Sequence, residues 1–587
     1  MRVINFAPNA FITAHSVPEA IILQQLTNRG HDVLQITCNS VYKNYCVSMS
    51  AAGLSLADTV ERKSNICQKC RLNKNDIGEK FKVKQQDIGD FIIAADLLKI
   101  DILVESITRN NWEDLIVEGI PVGRYSCYEF LLDNKLSSTD LSELNFEKLK
   151  GNIKNCLITL EAAKKIIDLY KPDRYLTYNS NYSVNNIFAA VAAQHGCSAF
   201  TLHAGSHPLL RVSQITITKG VRAVYPLSRQ ASWLEYRQKD LDQAAIKTAH
   251  EHVQGLFNAA SLWIYSIKST GLSAKELHSR FEIAHDKKVV LAMMSSEDES
   301  LAGVVIGARS SFYEPSVFET QQIWIEELIT WARSRQEITL IIRPHPRGFP
   351  NRRESVMSQA AVRLNALFKN LPPNVKINWP ADNISVYDLF KIVDLGLNST
   401  SSSAIEMLLF GVPVVGYQQT ELPYPKTLHA YAENIDDYFN MISKGLKNPV
   451  KSLGDFYEVY KWLAYQSSVT AIDISDVFSV EGRLSIGRGI RFLKRILGIK
   501  TYFDGFNINY KKIPTNEYWL TYAITHNSKD HFEKYISLTH MTMERSSSEI
   551  EKAIGYRLLA ELKKLSKKDP IFRKKLDQFK LSLEIAN

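Results

Sequence analysis

Three short polar clusters each follow an apolar run, and each carries side chains that hold phosphate or move protons. In Ile341-Ile-Arg343-Pro-His345-Pro-Arg347, two prolines bracket an imidazole. A proline pushes the residue before it toward an extended conformation and supplies no N–H, so Arg343 and His345 stand on a short, stiff exit from a strand. Arg343 can neutralise phosphate charge, His345 can donate a hydrogen bond or a proton, and Arg347 supports the same field. Alone, the fragment is equally a proline turn with surface cations. Ser295-Ser296-Glu297-Asp298-Glu299 follows the next apolar run. Its hydroxyls and amides suit a phosphate, and Glu297 or Asp298 suits a base or a ligand for sugar hydroxyls. It also suits a solvated acidic loop whose serine caps a helix. The third cluster is Asn398-Ser-Thr-Ser401-Ser402-Ser403, with Glu406 and Gly411-Val-Pro413 behind it. A helix starting there offers free N–H groups to an anion. Ser403-x-x-Glu406 is also a capping box, and spacing alone puts capping first.

The elements that must position these clusters alternate. RVINFA (2–7) reads as a strand, Ser16-Val-Pro-Glu19 as a capping box opening a helix, and HDVLQITC (31–38) as the next strand. The pattern returns at 173–180, 184–196 and 197–205. A second series runs through KKVVLAMMSS (287–296), a helix over 320–334, ITLIIRPHP (338–346), VDLGLNST (393–400), a helix over 403–411 and VPVVGYQ (412–418). Strands alternating with helices predict parallel sheets covered on both faces. The expected fold is α/β: two doubly wound Rossmann-type domains facing a cleft, over 1–265 and 285–450, and a mainly helical region over 451–587. Each polar cluster then sits beyond the carboxyl end of a strand of one sheet, where open α/β sheets bind ligands. Together the three carry the side chains that bind a diphosphate and a ribose.

Composition bounds the rest. The 587 residues are too many for one core, and 45% hydrophobic with 23% charged residues is ordinary for a globular chain. A net charge of +9 over this length suits small anions or a lipid surface and is too diffuse for a nucleic-acid binder. No apolar run reaches the roughly 18–20 residues of a membrane span, and Asn5, Pro8 and Asn9 interrupt any signal-peptide pattern. Seven cysteines do not suggest a disulfide scaffold, so the cytoplasm is the expected compartment.

Arg343-Pro-His345-Pro, Ile384-Ser385-Val-Tyr387-Asp388-Leu and Ser401–Val415 resemble the nucleotide-binding half of GT-B glycosyltransferases, above all bacterial capsule and surface polysaccharide biosynthesis proteins. The His-Pro motif before a serine-rich helix start is similar to Kdo transferases and bacterial sialyltransferases. CDP-glycerol glycerophosphotransferases and UDP-GlcNAc 2-epimerases carry related patterns. The likeness covers about 285–420 well and 1–40 and 170–210 weakly. It implies a nucleotide-sugar donor, CMP- or UDP-linked, and a glycan or lipid-linked glycan acceptor. It further implies that His345 meets the donor phosphate and protonates the leaving group. Arg343, Ser295, Ser296 and Ser401–Ser403 would hold phosphate oxygens, and Glu406 the ribose. The loop from Trp379 to Ser385 would lie against the base, with Glu297 and Asp298 as candidate catalytic carboxylates. The clusters hold no Asp-x-Asp motif, which implies catalysis without a divalent ion, cationic groups stabilising the departing nucleotide. The same fold also serves an epimerase, a glycerophosphotransferase or a non-catalytic scaffold.

The acceptor is expected on the first half, where His15, Asn179 and His203 (with His207) follow strands; each is equally an ordinary loop residue. Cys38, Cys46, Cys67 and Cys70 form C-x7-C-x20-C-x2-C, a set that suits a structural Zn2+ and equally unlinked thiols or a redox pair. Residues 483–500, RLSIGRGIRFLKRILGIK, hold six Lys or Arg and no acid. They suit a helix lying on an anionic membrane surface, which would put the protein at the inner face of the plasma membrane, or a helix packed on the protein itself.

Overall fold

The computed structural model describes residues 1–222, 230–258, 267–309, 317–350, 356–418, 422–447, 453–480, 505–538, 547–566 and 569–585. The basic segment 483–500 lies outside the described residues.

The first sheet joins β1 (Arg2–Phe6), β2 (Asp32–Thr37), β3 (Gln85–Asp87), β4 (Arg174–Tyr178), β5 (Ser198–Ala204) and β6 (Gln214–Lys219). The second joins β7 (Lys288–Met293), β8 (Ile338–Arg343), β9 (Val375–Ile377), β10 (Leu395–Asn398), β11 (Val414–Gly416) and β12 (Ala430–Tyr431). In the first the order is β3-β2-β1-β4-β5-β6, closed by β13 (Ile472–Asp473); in the second it is β9-β8-β7-β10-β11-β12. Both orders run outward in opposite directions from one central pair, β1/β4 in one sheet and β7/β10 in the other. That reversal opens a crevice at the carboxyl ends of the central strands, the standard ligand position of such sheets. Every pairing in the second sheet is parallel, and in the first only β6 runs against the others, antiparallel to both β5 and β13. The chain therefore has the expected two Rossmann-type halves.

Alternation along the strands buries both faces of each sheet. Val3 and Leu176 join one core layer, Ile4, Phe6 and Tyr175 the other. Val289 and Leu291 face one layer of the second half, Val290 and Ala292 the opposite one. Long apolar strands are the consequence of helices on both faces.

The halves exchange chain at their edges, which shifts the expected boundaries. Trp233, Ile246 and Val253, read with the first half, pack into a core of the second together with Tyr460, Leu558 and Phe572. The region after 451 is no separate layer. The helix Leu453–Ala464 lies on the second half, the turn Tyr465–Val469 leads back to the first sheet at β13, and the helix Glu517–His526 packs Leu520 and Ile524 into the first half. The last two helices, Ser547–Leu565 and Pro570–Ile585, return to the second half. Among the described residues no helix is long and apolar enough to cross a membrane.

One local reading fails. The first helix spans Thr13–Asn28, so Ser16 and Glu19 lie inside it and form no capping box. The Glu19 carboxyl instead accepts from Asn5 Nδ2 and from the backbone N–H of Tyr178, both at 3.0 Å, joining the helix to β1 and β4. Asn5 Oδ1 accepts in turn from Gln35 Nε2, and Gln35 Oε1 from Gln85 Nε2. Burial pushes the Glu19 carboxyl up to about 8, so it is protonated in the neutral protein. Because its folded value lies above the unfolded one, this group stabilises the fold fully below about pH 4.5. That contribution is lost as pH rises to about 8, at up to about 1.4 kcal/mol per pH unit. Denaturant unfolding of wild type and Glu19→Gln at pH 6 and pH 9 is expected to show a steeper loss for the wild type; parallel losses would mean that Glu19 is ionised in the fold.

Candidate functional site

The ends of β7, β8 and β10 converge on a cavity of about 320 Å³ between the halves. From the second half it takes Arg343, His345, Ser401–Ser403 and Glu406; from the first, Ser206 and Arg211; and from the crossing segment, Trp462, Leu463 and Gln466. The proline-bracketed exit and the serine-rich turn thus meet in space, 58 residues apart in sequence from His345 to Ser403.

Each group has a definite setting. Arg343 is buried, its Nη1 donating to Asn378 Oδ1 and, at 3.0 Å, to the carbonyl of Ile384. Burial lowers its guanidinium to about 10, still a cation at neutral pH. His345 is the N-cap of the turn Pro346–Gly348, and its Nδ1 accepts from the backbone N–H of Arg347 at 3.3 Å. Burial lowers its pKa, opposed by Glu299 and reinforced by Arg347 and Arg343. The neutral ring with an occupied Nδ1 carries its proton on Nε2. Ser401 and Ser403 share a hydroxyl–hydroxyl bond of 2.8 Å, and Asn398 Nδ2 donates to the Ser401 carbonyl at 3.1 Å.

The capping box at Ser403 does not form. The helix Ser403–Leu409 has Ser402 as its N-cap, without a side-chain cap bond. Glu406 is turned into the cavity wall beside Tyr387, and burial pushes its carboxyl up to about 7. Among the described residues its buried Oε2 has no partner at full hydrogen-bonding geometry, and the nearby Tyr387 hydroxyl only partly offsets the effect of burial.

The expected carboxylates lie elsewhere. Glu297 and Asp298 begin the helix Glu297–Val305, which packs on the helix Tyr128–Asn134 of the first half. Asp298 is 3% exposed and accepts from Arg347 Nε at 2.8 Å, while Glu297 pairs with Arg363 at 2.8 Å. Burial pushes Asp298 up to about 6 against the pull of Arg347, and raises Glu297. They line a separate pocket of about 20 Å³ on the other side of His345. Asp298 ties the cleft together instead of facing into the large cavity.

Ser295 and Ser296 share that smaller pocket. Ser295 Oγ accepts from the Thr400 amide at 3.1 Å, joining the ends of β7 and β10, and Ser296 donates to Glu299. Trp379 stands edge-on to Phe349 and Phe368, and Ser385 Oγ donates to the Ile267 carbonyl at 2.7 Å; neither lines the large cavity. Asp388, within the same Ile384–Leu389 motif, is fully buried and accepts from Ser269, Thr270 and Lys391. That half of the motif anchors the connection between the halves.

On the first half, the expected acceptor residues assemble around one ring. His15 stacks on Tyr178 with centroids 4.1 Å apart, and His203 lies 6.0 Å from the same ring. Asn179 follows Tyr178 in a left-handed conformation at φ 56. Burial drives His15 down to about 3, so it is a neutral imidazole. His207 and His252, edge to face at 5.3 Å, are likewise kept neutral by burial. His252 lines the large cavity and bonds Ser467 Oγ at 2.9 Å. His252, Trp462, Gln466 and Arg211 were not legible as site residues: WLAYQ carries no motif, and it reaches the cleft only because the chain crosses back there.

All four cysteines Cys38, Cys46, Cys67 and Cys70 line a third pocket of about 20 Å³, and none is in a disulfide. Burial pushes the Cys38 thiol up to about 12 and raises those of Cys46 and Cys70. Among the described residues no three His, Cys, Asp or Glu side chains stand ready-made around a metal.

No protein-family model matches the sequence, and no curated protein matches it either. Solved structures do resemble it. One is the KpsC β-Kdo 2,7 transferase of Thermosulfurimonas dismutans, at 14% identity over 57% of this chain and 89% of that one, TM-score 0.29. Another is the UDP-GlcNAc 2-epimerase of Neisseria meningitidis bound to UDP-GlcNAc, at 11% identity over 79% and 96%, TM-score 0.21. A third is the spinosyn rhamnosyltransferase SpnG complexed with thymidine diphosphate, at 10% identity over 80% and 96%, TM-score 0.24. Likeness this distant assigns no activity.

The Asp298 assignment is open to a direct check. Removing one partner of a buried ion pair costs about 3–5 kcal/mol, because the other charge stays buried. Asp298→Ala is therefore expected to lose that much in denaturant unfolding, and Asp298→Ala/Arg347→Ala less than the two singles combined. A turnover defect in Asp298→Asn with an unchanged unfolding midpoint would instead make Asp298 a catalytic base.

Proposed function

We propose that the chain is a glycosyltransferase that takes a sugar from a nucleotide-sugar donor, CMP- or UDP-linked, and adds it to a growing surface glycan. The donor diphosphate or phosphate sits against His345 and Ser401–Ser403, and the acceptor approaches from the first half. The carrying observation is the cavity itself. It lies at the strand-order reversal of the second sheet, and its wall combines Arg343 and Arg211 with three serines, while Glu406 is partly protonated near neutral pH. Such a wall is cationic and rich in donors, which is what a phosphate ester of a nucleoside needs.

The chemistry follows from His345. Its ring is neutral before the donor arrives, and Nε2–H offers a hydrogen bond to a phosphate oxygen. Arrival of that anion reverses the local balance, since a negative charge nearby favours imidazolium. The group that first binds the donor neutrally is thereby able to hold a proton against the departing phosphate. Arg343 keeps its charge throughout and stabilises the same oxygens electrostatically. Glu406, facing inward and raised to about 7, takes up a proton more readily as the donor's negative charge arrives and then donates a hydrogen bond to it.

His345→Ala is expected to lower kcat by two to three orders of magnitude, about 2.7–4 kcal/mol of transition-state stabilisation, with the unfolding midpoint unchanged. Donor class is read by thermal protection with CMP-, UDP-, GDP- and CDP-sugars. Conversion of a donor to its epimer without any acceptor would replace transfer by epimerisation, and near-normal transfer in His345→Ala would remove the assignment.

A further inference from the structure

The acidic run after β7 holds three carboxylates, and two are committed to close partners. Glu297 pairs with Arg363 and Asp298 with Arg347, both at 2.8 Å. Glu299 is held differently. Its side chain is 51% exposed, and its Oε1 stays 3.9 Å from Arg347 Nε, beyond hydrogen-bond reach. An acid at the third position of a helix, three residues after a serine, commonly closes a capping box. Here the N-cap, Ser296, makes no side-chain cap bond and donates its hydroxyl to Glu299 instead. That bond orients the carboxylate without covering it.

Charged and titratable groups face Glu299 from both halves. Asp298 precedes it, and His345 and Arg347 stand on the exit of β8, where Glu299 opposes the cations around the imidazole. On the opposite half is Tyr128, in the helix Tyr128–Asn134 that packs on the helix of Glu299; the carboxylate bears on its phenol. Tyr128 begins the aromatic wall of the first half. Tyr182 lies edge-on to it at 6.4 Å, and His15 is 6.2 Å from Tyr182. Asn179 and Asn181 follow β4, a strand of the first sheet's own central pair, and the Asn181 N–H donates to Asn179 Oδ1 at 3.3 Å. Asn181 stands beside the Tyr128 phenol, and its buried Oδ1 has no hydrogen-bond partner among the described residues. A buried acceptor left unpaired costs free energy, and a sugar hydroxyl lying on these rings would supply the donor. Two ionisable groups of that wall are poorly placed to take a proton from such a hydroxyl. Burial drives His15 down to about 3, and Glu129 is claimed by the hydroxyl and, at 2.9 Å, the backbone N–H of Ser183.

We propose that Glu299 is the catalytic base of transfer, the group that takes the proton of the acceptor hydroxyl. The inference rests on the glycosyltransferase reading above. The acceptor oxygen, held against the first half, bonds to the anomeric carbon of the donor as the bond from that carbon to the phosphate oxygen breaks. The electron pair leaves with the phosphate, against His345 and Arg343. The proton goes to Glu299, whose exposure lets it pass on to solvent. A single displacement of this kind inverts the anomeric configuration.

The test uses the full chain and whichever of the CMP-, UDP-, GDP- and CDP-sugars protects it against thermal unfolding. Water serves as the acceptor, and release of free nucleotide is followed. Glu299→Gln is expected to slow release by about two to four orders of magnitude, with protection by the donor and the unfolding midpoint unchanged. Formate is expected to restore release in Glu299→Ala, because a small carboxylate enters the space vacated and takes the proton in place of the side chain. NMR of the first sugar released by wild type is expected to show inverted configuration. Near-normal release in Glu299→Gln, no rescue by formate, retained configuration, or a sugar bound covalently to Glu299 would each overturn the proposal. Slow release in His345→Ala beside normal release in Glu299→Gln removes this inference and keeps the glycosyltransferase reading. Wild type that neither binds nor cleaves any of these donors removes both.

Discussion

The cleft depends on two cations that cross it below the surface. Lys135 ends the helix Tyr128–Asn134 in a left-handed conformation and is fully buried. Its ammonium donates to the carbonyls of Phe349, at 3.1 Å, and Val356, at 2.8 Å, both from the opposite half. Arg347 answers from the other side, holding Asp298 within its own half and the carbonyl of Leu132 across the cleft at 2.9 Å. A buried charge cannot be left without partners, so separating the halves here means hydrating two cations and a carboxylate at once. Polar crossings of this kind fix a register that apolar contact alone leaves free to slide. The same crossing reaches the chemistry, because the backbone N–H of Arg347 fixes the Nδ1 of His345. An imidazole two residues from the clamp inherits both its tautomer and its place.

That arrangement explains which parts of the molecule were legible in the sequence. Strands 288–293 and 338–343 are continuous apolar runs because both faces are covered, and the polar residues that end them stand at the carboxyl ends of one sheet. His345, Ser401–Ser403 and Glu406 were therefore readable as one cluster. Glu297 and Asp298 were readable as acids after a strand, yet their roles were not, since their partners Arg363 and Arg347 lie 66 and 49 residues away. Glu19 repeats the lesson. Its spacing from Ser16 is that of a cap, and its carboxyl is claimed by the Tyr178 amide, 159 residues on. Short-range patterns identify a side chain's type and local opportunities; long-range packing chooses among them.

The cleft wall drawn from the crossing segment shows the same limit from another side. Trp462, Leu463 and Gln466 reach the cavity because the helix Leu453–Ala464 runs on into the π-turn Tyr465–Val469 before β13. A π-turn widens a helix by one residue and often marks a functional site. Here it leaves Ser467 Oγ to meet His252 and the Ser467 carbonyl to accept from Gln214 at 2.8 Å in the first sheet. One irregular turn thus touches both halves and the cavity.

Charge placement in the cavity carries the argument a step further. Buried ionisable groups there take the form that leaves the wall positive: Arg343 remains a cation at about 10, Glu406 stands near 7, and burial keeps His252 and His345 neutral. An entering anion favours the protonated form of Glu406, which limits the repulsion, and the energy of desolvating the wall has already been met in folding. The histidines differ in what an anion does to them. His345 stands on the exit of β8 beside Arg343 and Arg347, so an anion neutralising those cations raises its proton affinity. His252 is buried against neutral His207 and the Ser467 hydroxyl, and burial keeps it uncharged. Of the imidazoles in this wall, His345 is the one set beside cations, Arg343 and Arg347, that an entering anion would neutralise.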